Sequence, residues 1–219
     1  SLCAILRERA FSHLKHELRQ TLKWLAHLNF DLELFGESIP MFEECLSIAK
    51  SLNEQNIGKE LHYLGLAWNY LKDTKKAAYY LKEALKIDEE ILGPDHIDIA
   101  WHLTDLGYAK SLNLPDNPVN LVYSERALKI YEKNYPPDHP KIAHALVEYA
   151  QASREGFDKQ DQYLRRALKI FRKSYGPEHP NVALTLNALA RSHMAKDKPE
   201  HKNNVLDWLN RALKIDENY

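Results

Sequence analysis

Apolar residues recur along this chain with the three- and four-residue spacing of an α-helix, and they do so in pairs of stripes. The clearest pair joins the stripe Leu61, Leu64 and Trp68 to the stripe Ala77, Leu81 and Ala84. Small residues stand on both stripes, Gly65 on the first and Ala84 on the second, where they let two helices approach closely. The pattern predicts a helix-turn-helix pair.

The same pair of stripes occurs five times in the 219 residues. Its most regular mark is the string Ala-Leu-Lys-Ile, which begins at Ala84, Ala127, Ala167 and Ala212, with spacings of 43, 40 and 45 residues. A period near forty indicates a stacked repeat, in which each repeat needs a neighbour to bury its apolar face. We therefore divide the chain into the second helix of a truncated repeat (1–17) and five repeats: 18–56, 57–98, 99–141, 142–181 and 182–219. Both ends of the chain are expected to be cut within a longer array.

A second string follows three of these copies: Gly93-Pro94-Asp95-His96, Pro136-Pro137-Asp138-His139 and Gly176-Pro177-Glu178-His179. Gly or Pro followed by Pro ends the preceding helix. The acidic residue is expected to accept backbone N–H groups at the start of the next helix, with the histidine assisting. The three histidines fall on successive repeats, too far apart to share a metal ion, so we interpret them as structural residues.

Composition narrows the classes of partner. A formal net charge of −1 gives no electrostatic reason to expect affinity for nucleic acid or membranes. Cys3 and Cys45 are the only cysteines, which is too few for a disulfide framework. No apolar run approaches the roughly 18 residues needed to cross a bilayer. We expect a reduced, cytoplasmic compartment.

The combination of Ala-Leu-Lys-Ile, Gly-Pro-Asp/Glu-His-Pro and Leu-Asn-x-Leu-Ala resembles the kinesin-light-chain class of tetratricopeptide repeats (TPRs). The fullest match runs from Gly176 to Ala183 and continues at Leu186-Asn187-Ala188-Leu189-Ala190. The resemblance is strong over residues 57–219 and weak over residues 1–56. It implies an all-α fold, a right-handed superhelix (α-solenoid) of helix-turn-helix pairs, and a protein–protein interaction function without a cofactor.

In this family the first helices of the pairs line a concave face on which peptides bind. The resemblance therefore implies a partner-binding groove made of Lys23, Trp24, His27, Lys59, His62, Tyr63, Trp101, Asp105, Tyr108, His144, Glu148, Gln151, Asn187 and Arg191. For Trp24, Tyr63 and Trp101 the sequence leaves a second interpretation open, namely packing between neighbouring first helices.

Two departures from the family pattern bear on which class of ligand we expect in this groove. TPR domains that bind the carboxyl terminus of chaperones use a Lys and an Asn one helical turn apart. Here Lys23 is followed one turn later by His27, so this chain lacks that pair. Kinesin light chains hold the peptide backbone with repeated asparagines, and only Asn187 matches these. Asp105 and Glu148 add negative charge, so we expect a ligand with basic residues.

The sequence contains no phosphate-binding glycine loop, zinc spacing or nucleophile motif, so we expect neither catalysis nor a metal site. His13 and His16 could meet on one helix face, but no third ligand is near them in sequence. The best nucleic-acid candidate is the basic run Arg165, Arg166, Lys169, Arg172 and Lys173, which we interpret as a solvated convex face. The expected function is that of an interaction module within a larger adaptor, signalling or effector protein. The alternatives are a structural, self-associating array and a targeting or regulatory domain for a catalytic domain elsewhere in the parent.

Overall fold

The computed structural model describes residues 2–111, 118–153, 156–195 and 202–217; within these ranges it leaves out the side chains of residues 2–8, 108, 110, 111, 118, 119 and 202. Ten α-helices and no strand occur in the described ranges. Their contacts form two groups, an N-terminal unit (residues 1–115) and a C-terminal unit (residues 116–219). The predicted all-α solenoid of helix pairs is confirmed.

The N-terminal unit contains α1 (Leu2–Asp31), α2 (Phe35–Ser51), α3 (Gly58–Tyr70), α4 (Thr74–Leu92) and α5 (Ile97–Ser111). Each helix packs against the next in sequence, and α3 also touches α5. Its apolar core includes the fully buried residues Phe42, Leu64 and Leu81. The first helices of the pairs are therefore neighbours, as the stacking of repeats requires.

The C-terminal unit contains α6 (Pro118–Asn134), α7 (Pro140–Ala152), α8 (Phe157–Tyr175), α9 (Pro180–Met194) and α10 (Lys202–Asp216). It shows the same pattern, with each helix packed on the next and α7 in contact with α9. Leu146, Phe171 and Leu189 are fully buried in its core.

Helix α1 crosses one of the predicted repeat boundaries. The predicted boundary between residues 17 and 18 falls inside one continuous helix of 30 residues. Residues 2–31 contain neither glycine nor proline, and the stretch from Leu14 to Leu28 consists largely of strong helix formers. No residue in this stretch is able to stop the helix.

The small residue on the first stripe is required where α3 meets α4. A Cβ atom on Gly65 would lie 2.7 Å from Cγ and 3.1 Å from the backbone nitrogen of Leu81. Leu81 is fully buried, so it has no free space into which it could move. In the repeat that follows, Gly107 occupies the equivalent sequence position, yet no described residue of another helix lies within 4 Å of where its Cβ would be.

The second string ends one helix and begins the next, and its histidine caps the helix that follows. Gly93 and Gly176 end α4 and α8 with positive φ angles of 87° and 89°. Nδ1 of His139 accepts the backbone N–H of Lys141 at 3.2 Å. His96 and His179 form the same bond with the residue two positions ahead, at 3.2 and 3.1 Å. The histidine, to which we gave only an assisting role, thus supplies the N-cap of α7 and α9.

Candidate partner-binding surface

Several of the predicted groove residues in the N-terminal unit are engaged in ion pairs between helices. Nζ of Lys23 on α1 lies 2.9 Å from Oε1 of Glu60 on α3. Arg19 donates to the same oxygen at 2.8 Å and also pairs with Glu54. Glu60 is 1% exposed, so both cations are needed to compensate a buried carboxylate. Lys23 therefore holds α1 against α3.

An aromatic cluster joins the same two helices. The ring of His27 meets the rings of Tyr63 and Phe42 edge-on, with centroid distances of 4.3 and 5.3 Å. Burial, assisted by the nearby Lys23 ammonium, lowers the pKa of His27. Burial also raises the pKa of the Tyr63 hydroxyl. For Tyr63 the packing interpretation therefore applies, and His27 packs beside it.

A chain of four polar side chains connects α3, α4 and α5. Nε2 of His62 lies 3.0 Å from Oδ2 of Asp105, and Nδ1 of His62 lies 2.6 Å from Nδ1 of His102. Nε2 of His102 lies 2.7 Å from Oδ2 of Asp88. Two imidazole nitrogens at this distance share one hydrogen, because two lone pairs would repel each other. We refer to Asp88, His102, His62 and Asp105 as the histidine chain.

Sequence reasoning placed His62 and Asp105 in the groove but missed His102 and Asp88. The sequence does indicate that His102 faces inward. It stands one helical turn before the buried Leu106, just as Glu60 stands one turn before the buried Leu64. In the two repeats of the C-terminal unit, Ala145 and Thr185 occupy the equivalent position and are 1% and 0% exposed. Residues at this position face inward, and a polar residue there requires a partner.

The residues of the N-terminal unit that remain accessible are fewer than predicted. Trp24 on α1 is 76% exposed and Trp101 on α5 is 43% exposed. Lys59 is exposed, and the side chain of Asp105 is about one-third exposed. The side chain of Tyr108 lies outside the described residues. The structure therefore leaves two indoles and one partly accessible carboxylate on α1 and α5.

In the C-terminal unit the predicted residues lie on α7 and α9. His144 packs edge-on against Phe171 at 4.8 Å and forms a hydrogen bond with the Asn181 amide at 3.2 Å. Burial, assisted by Lys141 and His179, lowers the pKa of His144 to about 4. His144 is therefore a neutral packing residue at pH 7. Gln151 and Arg191 are exposed, whereas Glu148 and Asn187 are partly buried.

The basic run on α8 is largely neutralised by carboxylates. Nε of Arg165 lies 2.5 Å from Asp161, and Arg166 lies 2.6 Å from Glu132. Lys173 pairs with Asp138 at the edge of a cavity of about 420 Å³. A nucleic-acid site requires cations that are free to meet phosphates, and these ion pairs weaken that alternative.

Within the described part of the chain, no group of three or more metal-binding side chains occurs. His13 instead lies 3.9 Å from Glu17, and His16 lies 3.3 Å from Glu54. None of the described helices combines the length and the apolar character needed to cross a membrane.

Comparison with known proteins supports the repeat assignment. Residues 17–90 and 153–181 match models described as tetratricopeptide repeat. No curated protein sequence matches the chain. Among solved structures, the fold is similar to that of a putative kinesin light chain with nearly identical TPR-like repeats from Podosopora anserina, with a TM-score of 0.71 and 19% identity over 90% of this chain and 93% of that one.

Two further structures have a similar fold. BtubC (BKLC) from P. vanneervenii gives a TM-score of 0.74 at 18% identity, covering 96% of this chain and 85% of that one. The apo form of RapI gives a TM-score of 0.72 at 17% identity, covering 91% and 70% of the respective chains. At these identities the likeness concerns the fold.

Proposed function

Because the chain carries tetratricopeptide repeats in an all-α solenoid, we propose that it is a protein–protein interaction module that binds a peptide or a segment of a partner along its first helices. The observation that carries this proposal is the exposure of two indoles, Trp24 at 76% and Trp101 at 43%. Tryptophan is among the residues most enriched at the centres of protein interfaces. Exposed indoles on helices that are otherwise packed are suited to anchoring a ligand.

The chemistry beside Trp101 favours a basic ligand. Asp105 follows Trp101 by one helical turn, so the two side chains share a face of α5. A ligand that places an apolar side chain on the indole would bring a neighbouring lysine or arginine to the carboxylate. In the C-terminal unit, the candidate contacts in this proposal are Glu148, Gln151, Asn187 and Arg191, while His144 supports the fold.

Binding of a panel of fluorescent peptides about 15 residues long, differing in charge and in apolar content, tests this proposal by anisotropy at two salt concentrations. We expect peptides with alternating basic and apolar residues to bind, and the double substitution Trp24→Ala, Trp101→Ala to weaken them about 10- to 100-fold. Asp105→Asn should reduce the salt dependence of the same peptides.

The control is Tyr79→Ala, because Tyr79 is a comparably exposed aromatic residue (60%) on the second helix α4. It should leave binding unchanged. If the tryptophan double variant binds as well as the wild type, or if Tyr79→Ala weakens binding equally, the first helices are not the binding surface.

Intrinsic catalysis is not part of the proposal, because this fold typically serves as an interaction scaffold and catalytic function would require a site of its own. We propose that the module acts within a larger adaptor, signalling or effector protein of the cytoplasm. This part of the proposal is based on the family resemblance and on the low cysteine content.

A further inference from the structure

Helix α1 has a second apolar face that is exposed to solvent in this structure. It consists of Phe11, Leu14, Leu18, Leu25, Leu28 and, just after the helix, Leu32, which are between 43% and 70% exposed. Together with Thr21 they make seven positions, which are separated alternately by three and by four residues. We refer to these seven residues as the α1 stripe. Such a seven-residue repeat of apolar positions is the pattern by which two α-helices pack side by side.

The α1 stripe is separate from the face that packs into the fold. Arg19 and Ala26, which are 4% and 0% exposed, point toward α2 and α3. At 100° per residue, they lie roughly 100° or more from the centre of the stripe. The helix thus has apolar residues on two sides, and the fold buries one of them. An exposed apolar stripe of this length marks a surface for contact with a partner.

The first part of α1 extends past the end of α2. Lys15 and His16, like Arg19 one turn later, reach the end of α2 and the loop after it, through Ser51 and Glu54. The described side chains before them, residues 9–14, are all exposed. A helix of about 12 residues is marginal in water without tertiary contacts. This segment would therefore be stabilised by whatever covers the stripe.

The dimensions of the stripe fit a second copy of the chain. From Phe11 to Leu32 it is about 31 Å long at 1.5 Å per residue. Its exposed side chains supply on the order of 500 Å² per copy, hence about 1,000 Å² for a pair, which is the lower limit of a specific interface. Among the described residues of α10, the comparable stripe consists of Leu206, Leu209 and Leu213, so it is shorter than the α1 stripe.

Charge selects the register of an antiparallel pair. When Phe11 is opposite Leu28 and Leu14 is opposite Leu25 in an antiparallel pair, Glu17 lies beside Trp24 of the second copy. The two antiparallel registers shifted by one heptad place Glu17 beside Asp31 or beside Glu17 of the second copy, and like charges there repel. The antiparallel arrangement also opposes the two helix dipoles favourably. In addition, it places residues 9–14 of each copy against the part of α1 that, in the other copy, packs on α2 and α3.

We propose that the chain forms a symmetric dimer in which the α1 stripes of two copies pack antiparallel, with Leu14 of one copy against Leu25 of the other. The interface uses the same surface on both copies, so it closes on itself and does not propagate. This surface is distinct from the exposed indoles on which ligand binding was proposed, except that Trp24 borders both.

Light scattering coupled to size exclusion tests the dimer. The 219-residue chain should have a mass of about 51 kDa, twice the 25.5 kDa of one copy. Leu18→Glu with Leu25→Glu should give a monomer and weaken dimerisation at least about 100-fold, because each dimer loses four apolar contacts. Both positions are exposed in one copy, so the fold should remain intact, and the circular dichroism should lose no more than the helical signal of the extended segment before Lys15.

Leu206→Glu with Leu213→Glu is the matched control, since it places the same charges on the exposed stripe of α10 and should leave the dimer intact. Cross-linking tests the direction in a Cys3→Ser background: Leu14→Cys and Leu25→Cys should form a disulfide only when the two variants are mixed. A monomer at about 100 μM, or a dimer abolished by the α10 variant, overturns the proposal. Disulfide formation by Leu14→Cys alone overturns the antiparallel arrangement.

Discussion

Replacing Gly65 by alanine should destabilise the N-terminal unit, although alanine is the better helix former. The new Cβ would lie 2.7 Å from Cγ and 3.0 Å from Cδ2 of Leu81. It would also lie 3.1 Å from the backbone nitrogen of Leu81, which belongs to α4 and is not free to rotate away. The two helices must therefore separate by several tenths of an ångström along their line of contact.

The magnitude follows from two opposing effects. Overpacking of this kind costs about 1–3 kcal/mol. The gain in helix propensity from glycine to alanine returns up to about 1 kcal/mol. We expect a net loss of about 1–2 kcal/mol in the free energy of unfolding, or a melting temperature lower by roughly 3–6 °C for a chain of this size.

Gly107→Ala is the decisive comparison, because Gly107 has the same position in the next repeat, but no described residue of another helix lies within 4 Å of the Cβ that alanine would add. Here the propensity effect acts alone, and we expect stabilisation by about 0.5–1 kcal/mol. Urea titration followed by circular dichroism measures both, with the transition midpoints compared because repeat arrays often depart from two-state unfolding. If Gly65→Ala is as stable as the wild type, or if both variants shift in the same direction, the close approach of α3 and α4 does not require glycine.

Two further predictions concern histidines. His139→Ala and His179→Ala should each cost about 1 kcal/mol through the loss of a helix N-cap, whereas the highly exposed His13 should tolerate alanine in the same urea titration. The pKa of His144 is about 4 in the folded protein against 6.5 for a free side chain, so the unfolded state binds the proton first. Its contribution to stability should be complete above pH 6.5 and disappear as the pH falls toward 4, about 2 kcal/mol after allowing for its partial exposure. His144→Gln, compared with the wild type at both ends of this range, should remove that part of the acid sensitivity.

The helices and their pairing could be predicted from the sequence because short-range chemistry determines them. The three-four spacing of apolar residues predicts each stripe, and Gly-Pro marks where α4 and α8 end. The same reasoning explains why α1 continues across the predicted boundary at residue 17. The repeat pattern suggested a boundary at residue 17, but a boundary in the chain requires residues that stop a helix, and α1 contains none.

The candidate surface was less accessible to sequence reasoning, because exposure depends on the neighbouring helices. Trp24 and Tyr63 are both aromatic residues on first helices, yet one is 76% exposed and the other packs on His27. The histidine chain joins residues 14 and 40 positions apart in sequence, His102 to Asp88 and to His62. Such pairings are determined by tertiary contacts, and the i, i+4 register indicates only that His102 points inward.

The histidine chain also bears on the charge that a ligand would meet. Nε2 of His62 is directed at Asp105, Nε2 of His102 is directed at Asp88, and the two Nδ1 atoms face each other at hydrogen-bond distance. A ligand ammonium or guanidinium at Asp105 would therefore meet a carboxylate that already has His62 as a hydrogen-bond partner. The selectivity of the first helices for basic ligands should accordingly be weaker than the count of acidic residues suggests, with the larger part of the binding energy coming from the exposed indoles.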